Sequence, residues 1–323
     1  MGIKYLNKYL LKKCSNSAIK RVNINEFQNK TFIIDTSIYM YKFTNEGSLL
    51  ENMYLFISKM IHHNIEPIFI FDGKPPVEKR ELLQKRRMEK RDAEEKYDLL
   101  KTQIYDASFQ NIFLENKKEI LEEMEELKGQ FIKIRDSDIK KVKELLDAFG
   151  IQYLNSKSEA DHLCAYLSVD KDVYCVSDDM DMFIYGSKYI VRNINLQTDS
   201  MWLYNTEIIL NELELEQEEL KKILILSGTD YNIDLNTSLF ETIKWFNSYK
   251  KEINKNNETI EFYDWLSKNT KYIENKEKLD RTLKYFTEDY LKELVDFEME
   301  ENNKERDDNK IKEILKEEGF VFL

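Results

Sequence analysis

Residues 173–181 read Val-Tyr-Cys-Val-Ser-Asp-Asp-Met-Asp. Four apolar residues in a row, bounded by polar ones, suit a strand buried on both faces. Two acids, Asp179 and Asp181, follow almost at once. The same arrangement occurs twice more. Phe32-Ile33-Ile34 runs into Asp35, and Ile68-Phe69-Ile70-Phe71 runs into Asp72. A weaker run, Tyr189-Ile190-Val191, makes a fourth strand. Between these runs the apolar residues follow helical spacing, over 49–63, 139–149, 159–168 and 217–226. Strands alternating with helices predict a doubly wound α/β domain with a mainly parallel sheet up to about residue 226.

In an open parallel sheet the carboxyl ends of the strands form the ligand crevice. Asp35, Asp72, Asp179 and Asp181 are therefore expected on one rim. Glu159 and Asp161 open a helical pattern in Ser-Lys-Ser-Glu-Ala-Asp, and Asp230 follows the helix that ends near Leu226, in Ser-Gly-Thr-Asp. Carboxylates gathered this closely raise one another's pKa values and destabilise the fold. Divalent cations remove the conflict, and hard oxygen ligands without His or Cys point to magnesium, with manganese able to substitute. Two such ions about 4 Å apart can activate a water and stabilise the leaving oxygen of a phosphodiester. Each acid also has a plainer reading. An Asp after a strand is often only a helix N-cap, and Asp35 and Glu159 could each be that. The repetition at strand after strand favours the metal.

The stretch from Val77 to Leu127 is nearly all helix formers and charges, which predicts one or two long helices inserted into the α/β unit. Its start is basic. Lys74 to Arg91 holds eight cations (Lys74, Lys79, Arg80, Lys85, Arg86, Arg87, Lys90, Arg91) against three acids. Lys79 and Arg86 are seven apart and share a helix face. Such a row beside Asp72 suits a phosphate backbone. It could equally be a solvated helix laced with ion pairs.

The 323-residue chain is 42% hydrophobic and carries a net charge of −12. Taken alone, that charge argues against a polyanionic partner. Part of it is accounted for if acids serve as metal ligands while the cations are concentrated locally. No run of about 18 uncharged apolar residues is present, so no membrane span is expected. The start lacks a secretory h-region, and Leu6 stands where myristoylation of Met-Gly needs Ser or Thr. Three cysteines and three histidines, with no Cys-x-x-Cys pair, argue against a structural zinc site and suit a reducing compartment. Cys164 and Cys175 are expected in the core, and His62-His63 at a solvated helix end. An intracellular place, in a nucleus or at a cytoplasmic viral replication site, is expected rather than secretion. Segment 299–309 reads as a solvated loop.

These motifs resemble the structure-specific 5′ nucleases, the flap endonuclease or XPG-like family with a PIN-like domain. The resemblance lies in Met1-Gly2-Ile3-Lys4-Tyr5-Leu6, Asp35-Thr-Ser-Ile-Tyr-Met-Tyr41 and Phe71-Asp72-Gly-Lys-Pro-Pro76 followed by Lys79 and Arg86. It continues in Glu159-Ala-Asp161, Ser177-Asp-Asp179-Met-Asp181 and Gly228-Thr-Asp230-Tyr. It spans residues 1–232 and fades after about 245. It implies a nuclease core over 1–232, with a helical arch over about 77–135, and a helical region over 233–323 holding a degenerate helix-two-turn-helix. It further implies seven metal ligands, Asp35, Asp72, Glu159, Asp161, Asp179, Asp181 and Asp230, holding two magnesium ions. Lys79 and Arg86 would contact the scissile phosphate. Tyr41 would stack on a base, although by composition alone it could be a core aromatic. Gly2, Lys74, Arg80, Lys85, Arg87 and Lys90 would join the DNA contacts. The expected substrate is DNA with a free 5′ end or 5′ flap, cut to leave a 5′-phosphate.

The chain departs from the family in four places, one of them the segment Thr44 to Glu66, which is short beside the flap enzymes and implies a reduced wedge and 3′-flap pocket. Asp161 stands where flap enzymes usually carry Glu. Residues 231–240 lack the glycine of the usual hairpin. No sliding-clamp motif precedes the final Glu-Gly-Phe-Val-Phe-Leu, and a monomer is expected. A non-catalytic scaffold keeping the fold, and a related RNase, are the alternatives.

Overall fold

The computed structural model describes residues 2–109, 117–170, 172–232, 236–256, 259–287, 298–299 and 305–320, with backbone only for 106–109 and 298–299. The chain divides into two compact units. The first comprises Met1–Ser37, Leu55–Pro76 and Ile151–Asn303. It holds one sheet in the order β1 (Ile19–Asn23), β7 (Ser200–Asn205), β6 (Tyr189–Asn195), β5 (Val173–Val176), β2 (Thr31–Asp35), β3 (Glu66–Phe71), β4 (Tyr153–Asn155), β8 (Glu298–Met299). Strands β6, β5, β2, β3 and β4 pair in parallel. β1, β7 and β8 add antiparallel edges.

The parallel strands are apolar because both faces are covered. On one face Ile33, Ile70, Cys175 and Ile190 join a single buried core with residues of α1 (Leu6–Lys13), α7 (Ala160–Leu167), α8 (Met182–Tyr185), α9 (Thr206–Leu213) and α10 (Gln217–Leu226). On the other, Phe32 packs edge-on against Phe27, and Phe69 against Phe56, at ring separations of 5.1 and 6.1 Å. Burying each such side chain stabilises the fold by about 1.5–3 kcal/mol. Cys164 and Cys175 are fully buried. The same core takes in α11 (Leu239–Asn256), α12 (Phe262–Asn269) and α13 (Lys276–Lys284). Helix α10 begins with a reciprocal cap, in which Glu216 N donates to the Glu219 carboxylate at 3.0 Å.

The second unit comprises Ile38–Tyr54, Val77–Gly150 and Lys304–Leu323. Helices α2 (Thr36–Asn45) and α3 (Leu49–His62) contribute residues to both units. The expected long helices are α4 (Arg80–Phe109) and α5 (Lys117–Gln130). Buried Ile120, Met124 and Leu127 form one stripe of α5, and Lys96–Glu123 and Lys133–Glu94 ion pairs flank it. Residues 110–116 of the expected arch lie outside the described residues. Helix α6 (Asp136–Phe149) stops at Gly150, whose φ of 69° suits glycine. It packs beside α14 (Asp308–Glu317), where Asp307 N donates to Ala148 O at 2.7 Å.

Two sequence expectations are corrected. Of the loop expected over 299–309, Met299 pairs in β8 and Asp308 and Asn309 begin α14, while residues 300–304 lie outside the described residues. Pairing with Leu154 overrides the polar composition at the first end. At the second, the Asp307 side chain accepts from the N–H groups of Asn309 and Lys310, both at 3.0 Å, and caps the helix. The sheet is also wider than the four apolar runs suggest, because β1, β4, β7 and β8 were not read from the sequence.

Candidate metal centre

Strand register brings the acids together. Asp35 ends β2 opposite Ile70 of β3, so Asp72 stands two residues further along the neighbouring strand. Ile34 lies opposite Val176 of β5, which puts Ser177 beside Asp35. The Ser177 hydroxyl accordingly donates to Asp35 Oδ2 at 3.2 Å. The same hydroxyl accepts from Asp179 N at 3.2 Å, and Asp181 N donates to Asp179 Oδ1 at 3.0 Å. The Ser-Asp-Asp-Met-Asp turn is thus held by its own polar groups, with both functional acids on it. Asp35, Asp179 and Asp181 are buried.

Asp72 joins the rim to helix α7. Its Oδ1 accepts from Ala160 N at 2.7 Å and its Oδ2 from the Ser37 hydroxyl at 2.5 Å. Glu159 occupies the N-cap position of α7, but its side chain does not cap the helix. Asp72 supplies that oxygen instead. Asp161 sits in the first turn of the same helix. The loop before α7 is clasped to the end of β3. Gly73 N donates to Ser158 O at 2.6 Å and Lys74 N to Lys157 O at 3.2 Å. A Cβ on Gly73 would lie 2.1 Å from Ser156 O, so only glycine fits there.

The neighbours of Asp35 are mutually repulsive. Burial pushes its carboxyl well above the ordinary range, and the nearby Asp72 and Asp179 raise it further. Among the described residues, no three His, Cys, Asp or Glu side chains close into a finished coordination sphere. Asp72 and Asp179 spend oxygens on backbone and hydroxyl donors instead. The donor set nevertheless fits a hard divalent cation. It is all carboxylate oxygen, delivered from three strand ends and one helix start, and its electrostatic conflict is what a cation relieves.

Sequence reasoning missed several residues around this rim. The Tyr231 hydroxyl donates to Glu159 Oε2 at 3.0 Å and lies 3.4 Å from His162 Nε2. Tyr185 reaches the same nitrogen at 3.2 Å. Burial raises the Tyr185 phenol well above its usual value, and Tyr231, Asp161, Asp181 and Glu159 raise it further. Asp230 is half-buried next to Tyr231. The loop after it lacks glycine but is firmly tied. Asn232 donates to Ile225 O at 2.7 Å and accepts from Thr229 N and Oγ1, while the Thr237 hydroxyl donates to Leu226 O. Side chains thereby satisfy carbonyls that the end of α10 leaves open. Residues 233–235 lie outside the described residues.

Gly2 belongs to this rim as well. At φ 80°, a Cβ there would lie 2.4 Å from Asp179 Oδ1 and 2.7 Å from Asp181 Oδ1. Of the expected phosphate contacts, only Lys74 lies in the first unit, and it is exposed. Lys79, Arg80, Lys85, Arg86, Arg87, Lys90 and Tyr41 lie in the second. There Lys79 is buried, Arg80, Lys85 and Arg87 are exposed, and Arg86 and Lys90 are intermediate. The Lys90 ammonium sits 4.9 Å from the Tyr41 ring centroid and donates to Ile132 O at 3.0 Å. Burial lowers the Lys90 pKa, and Arg86 and Lys133 lower it further. Tyr41 is 39% exposed, so it is not the core aromatic that its composition allowed.

A parallel-sheet rim of hard carboxylates, with two more at the start of the helix beside it, defines an α/β fold with a candidate metal centre. The comparisons with known proteins name the group to which it belongs. The family model described as the XPG N-terminal domain matches residues 1–93, and that of the XPG I-region matches residues 150–230. The chain belongs to the XPG family of structure-specific nucleases. It is 30% identical to flap endonuclease 1 of Methanococcus aeolicus over 231 residues, covering 66% of each chain. It is also 30% identical to flap endonuclease 1 of Candida glabrata over 253 residues, covering 72% of this chain and 61% of that one. A probable RAD2-like endonuclease of Invertebrate iridescent virus 6 is 28% identical over 282 residues, covering 72% of this chain and 67% of the other. The chain thus spans about two thirds or less of these two flap endonucleases.

The catalytic core of Rad2 with DNA substrate superposes with a TM-score of 0.61 at 22% identity, covering 99% of this chain and 95% of that one. Flap endonuclease-1 from Methanococcus jannaschii gives 0.56 at 20%, covering 98% and 100%. These likenesses establish the fold.

Proposed function

We propose that this chain is a divalent-metal-dependent nuclease that cuts DNA near a free 5′ end, with 5′ flap endonuclease and 5′→3′ exonuclease activity, and acts as a monomer. The observation that carries the reading is the convergence of Asp35, Asp72, Asp179 and Asp181 on one sheet rim, with Glu159 and Asp161 at the start of α7. These residues and Asp230 would hold two magnesium ions, with manganese able to substitute. The metal, when bound, supplies an activated water and stabilises the leaving oxygen. The chain's own residues do the rest. The Ser177-centred hydrogen bonds fix the 177–181 turn, the Asp72 contact with Ala160 N fixes α7, and Tyr231 orients Glu159. Lys79 and Arg86 follow Asp72 in sequence and are assigned to charge neutralisation at the scissile phosphate. Tyr41 is assigned to base stacking, and Gly2, Lys74, Arg80, Lys85, Arg87 and Lys90 to strand contacts. A solved relative, GEN1, is described with product DNA and a magnesium ion.

The test is cleavage of a 3′-labelled 5′-flap DNA, with RNA-flap and 5′-blocked controls. Cutting that needs magnesium, stops with a chelator, is lost on Asp179→Ala with Asp181→Ala, and falls when the 5′ end is blocked is the expected result. Metal-independent cleavage, or full activity in the double variant, overturns the assignment. Preference for the RNA flap makes the chain an RNase.

A further inference from the structure

The first unit carries a second cationic surface, away from the Lys74–Arg91 strip in sequence, and it has aromatic rings set into it. Tyr5 precedes α1 at φ 65°, a left-handed conformation that a bulky side chain adopts only at a cost and glycine adopts freely. It is nevertheless a tyrosine, and its side chain is 63% exposed. Its ring lies 6.1 Å from that of Phe240, which is 53% exposed at the start of α11. Tyr9, one turn further along α1, meets Phe240 edge-on at 6.3 Å. Three rings thus form a ridge on the surface. Backbone strain retained for an exposed aromatic is not repaid by core packing, which points to a function outside the fold.

The surroundings of the ridge specify its partner. Lys8 lies one turn from Tyr5 and Lys12 one turn beyond, both exposed, and Lys244 is one turn from Phe240 and exposed. Segments 4–13 and 239–251 together hold seven lysines and a single acid, Glu241, in a chain of net charge −12. Lysines alternating with exposed rings match a polyanion that also presents flat apolar faces. Gly2 lies against Asp179, and three residues of extended chain reach at most about 11 Å. The ridge therefore flanks the acid rim. We infer that Tyr5, Tyr9 and Phe240, with Lys8 and Lys244, form a stacking platform for unpaired bases of a DNA strand. The inference rests on the reading that this chain acts on DNA, and it adds a second base-stacking contact, in the first unit, to the one assigned to Tyr41.

The test uses the full chain with chelator present, so that no cleavage occurs. Binding of a dye-labelled 12-nucleotide DNA strand and of its abasic counterpart is measured by fluorescence anisotropy. The wild type is expected to prefer the base-bearing strand by roughly 5- to 100-fold. Tyr5→Gly with Phe240→Ser should cut that preference by roughly fivefold or more, the remainder being what Tyr41 supplies, and leave the binding of the abasic strand within about twofold. Lys8→Gln with Lys244→Gln should weaken both strands and reduce the salt dependence. Folding is checked by thermal melting. Tyr5→Gly removes the strained φ, so its Tm should not fall, and this single variant keeps the test open should Phe240→Ser unfold. A wild type with no base preference, or a Tyr5→Gly, Phe240→Ser protein that keeps it, overturns the inference. Failure of the cleavage assay alone would sink the nuclease reading and leave this binding result standing.

Discussion

The Tyr231 hydroxyl is bonded to Glu159 Oε2, joining residues 72 positions apart in sequence. The bond ties the segment after Asp230 to the acid that opens α7. His162, fully buried one residue beyond Asp161, lies against the same hydroxyl.

Tyr231→Phe keeps the ring contacts with Tyr285 and Phe286 and deletes only the hydroxyl. Removing a group that orients a metal ligand costs roughly 10–100-fold in metal affinity. We expect magnesium binding, followed by calorimetry without DNA, to weaken within that range while the melting temperature of the metal-free protein is unchanged. Unaltered magnesium affinity would remove Tyr231 from the site.

Gly2→Ala places a methyl group against Asp179 and Asp181 and does so at a positive φ. Displacing those acids by about 1 Å is expected to slow cleavage by roughly 100-fold. Circular dichroism and melting should match the wild type. Full activity would show that the acids tolerate the methyl group by simple rotation.

Asp35 is buried beside Asp72 and Asp179. Asp35→Asn removes the repulsion without changing shape. In chelator the variant should melt about 2–4 °C higher, the shift that roughly 1 kcal/mol gives in a domain of this size. Cleavage should be lost. A lower melting temperature in chelator would mean that the carboxylate is held by favourable bonds that outweigh its neighbours.

Burial and the nearby Glu212 push the Cys14 thiol from 9.0 up to about 11. A folded pKa above the unfolded one contributes stability that is present below pH 9 and is lost as pH rises through 11. Alkylation by iodoacetamide should therefore have its midpoint near pH 11 in the native protein and near 9 in urea. Coincident midpoints would show that Cys14 is fully solvated.

The central strands were legible because burial on both faces leaves apolar runs such as Phe32-Ile33-Ile34 and Val173 to Val176. Two further strands hid for local reasons. β1 reads Ile-Lys-Arg-Val-Asn, with only Ile19 and Val22 buried, and β4 has three residues. Acids at strand ends were readable because strand direction fixes which end they occupy. The plainer reading of Glu159 as a cap was not settled by sequence, since the oxygen that caps α7 comes from Asp72, far away in the chain. Tyr231 was read only as part of the Asp230 motif and His162 gave no signal, because their contacts with Glu159 and with each other are made across the chain. Gly2 was expected near the site by resemblance alone, and the missing Cβ gives the steric reason.

The clasp of Gly73 and Lys74 onto Lys157 and Ser158 closes the chain on either side of residues 77–150. An excursion that leaves and returns at a fixed doorway can be lengthened at little entropic cost, since closure entropy grows only with the logarithm of length. The helical segment is in this sense an exchangeable cassette. Its length and charge can change while the end of β3 stays fastened beside the start of α7.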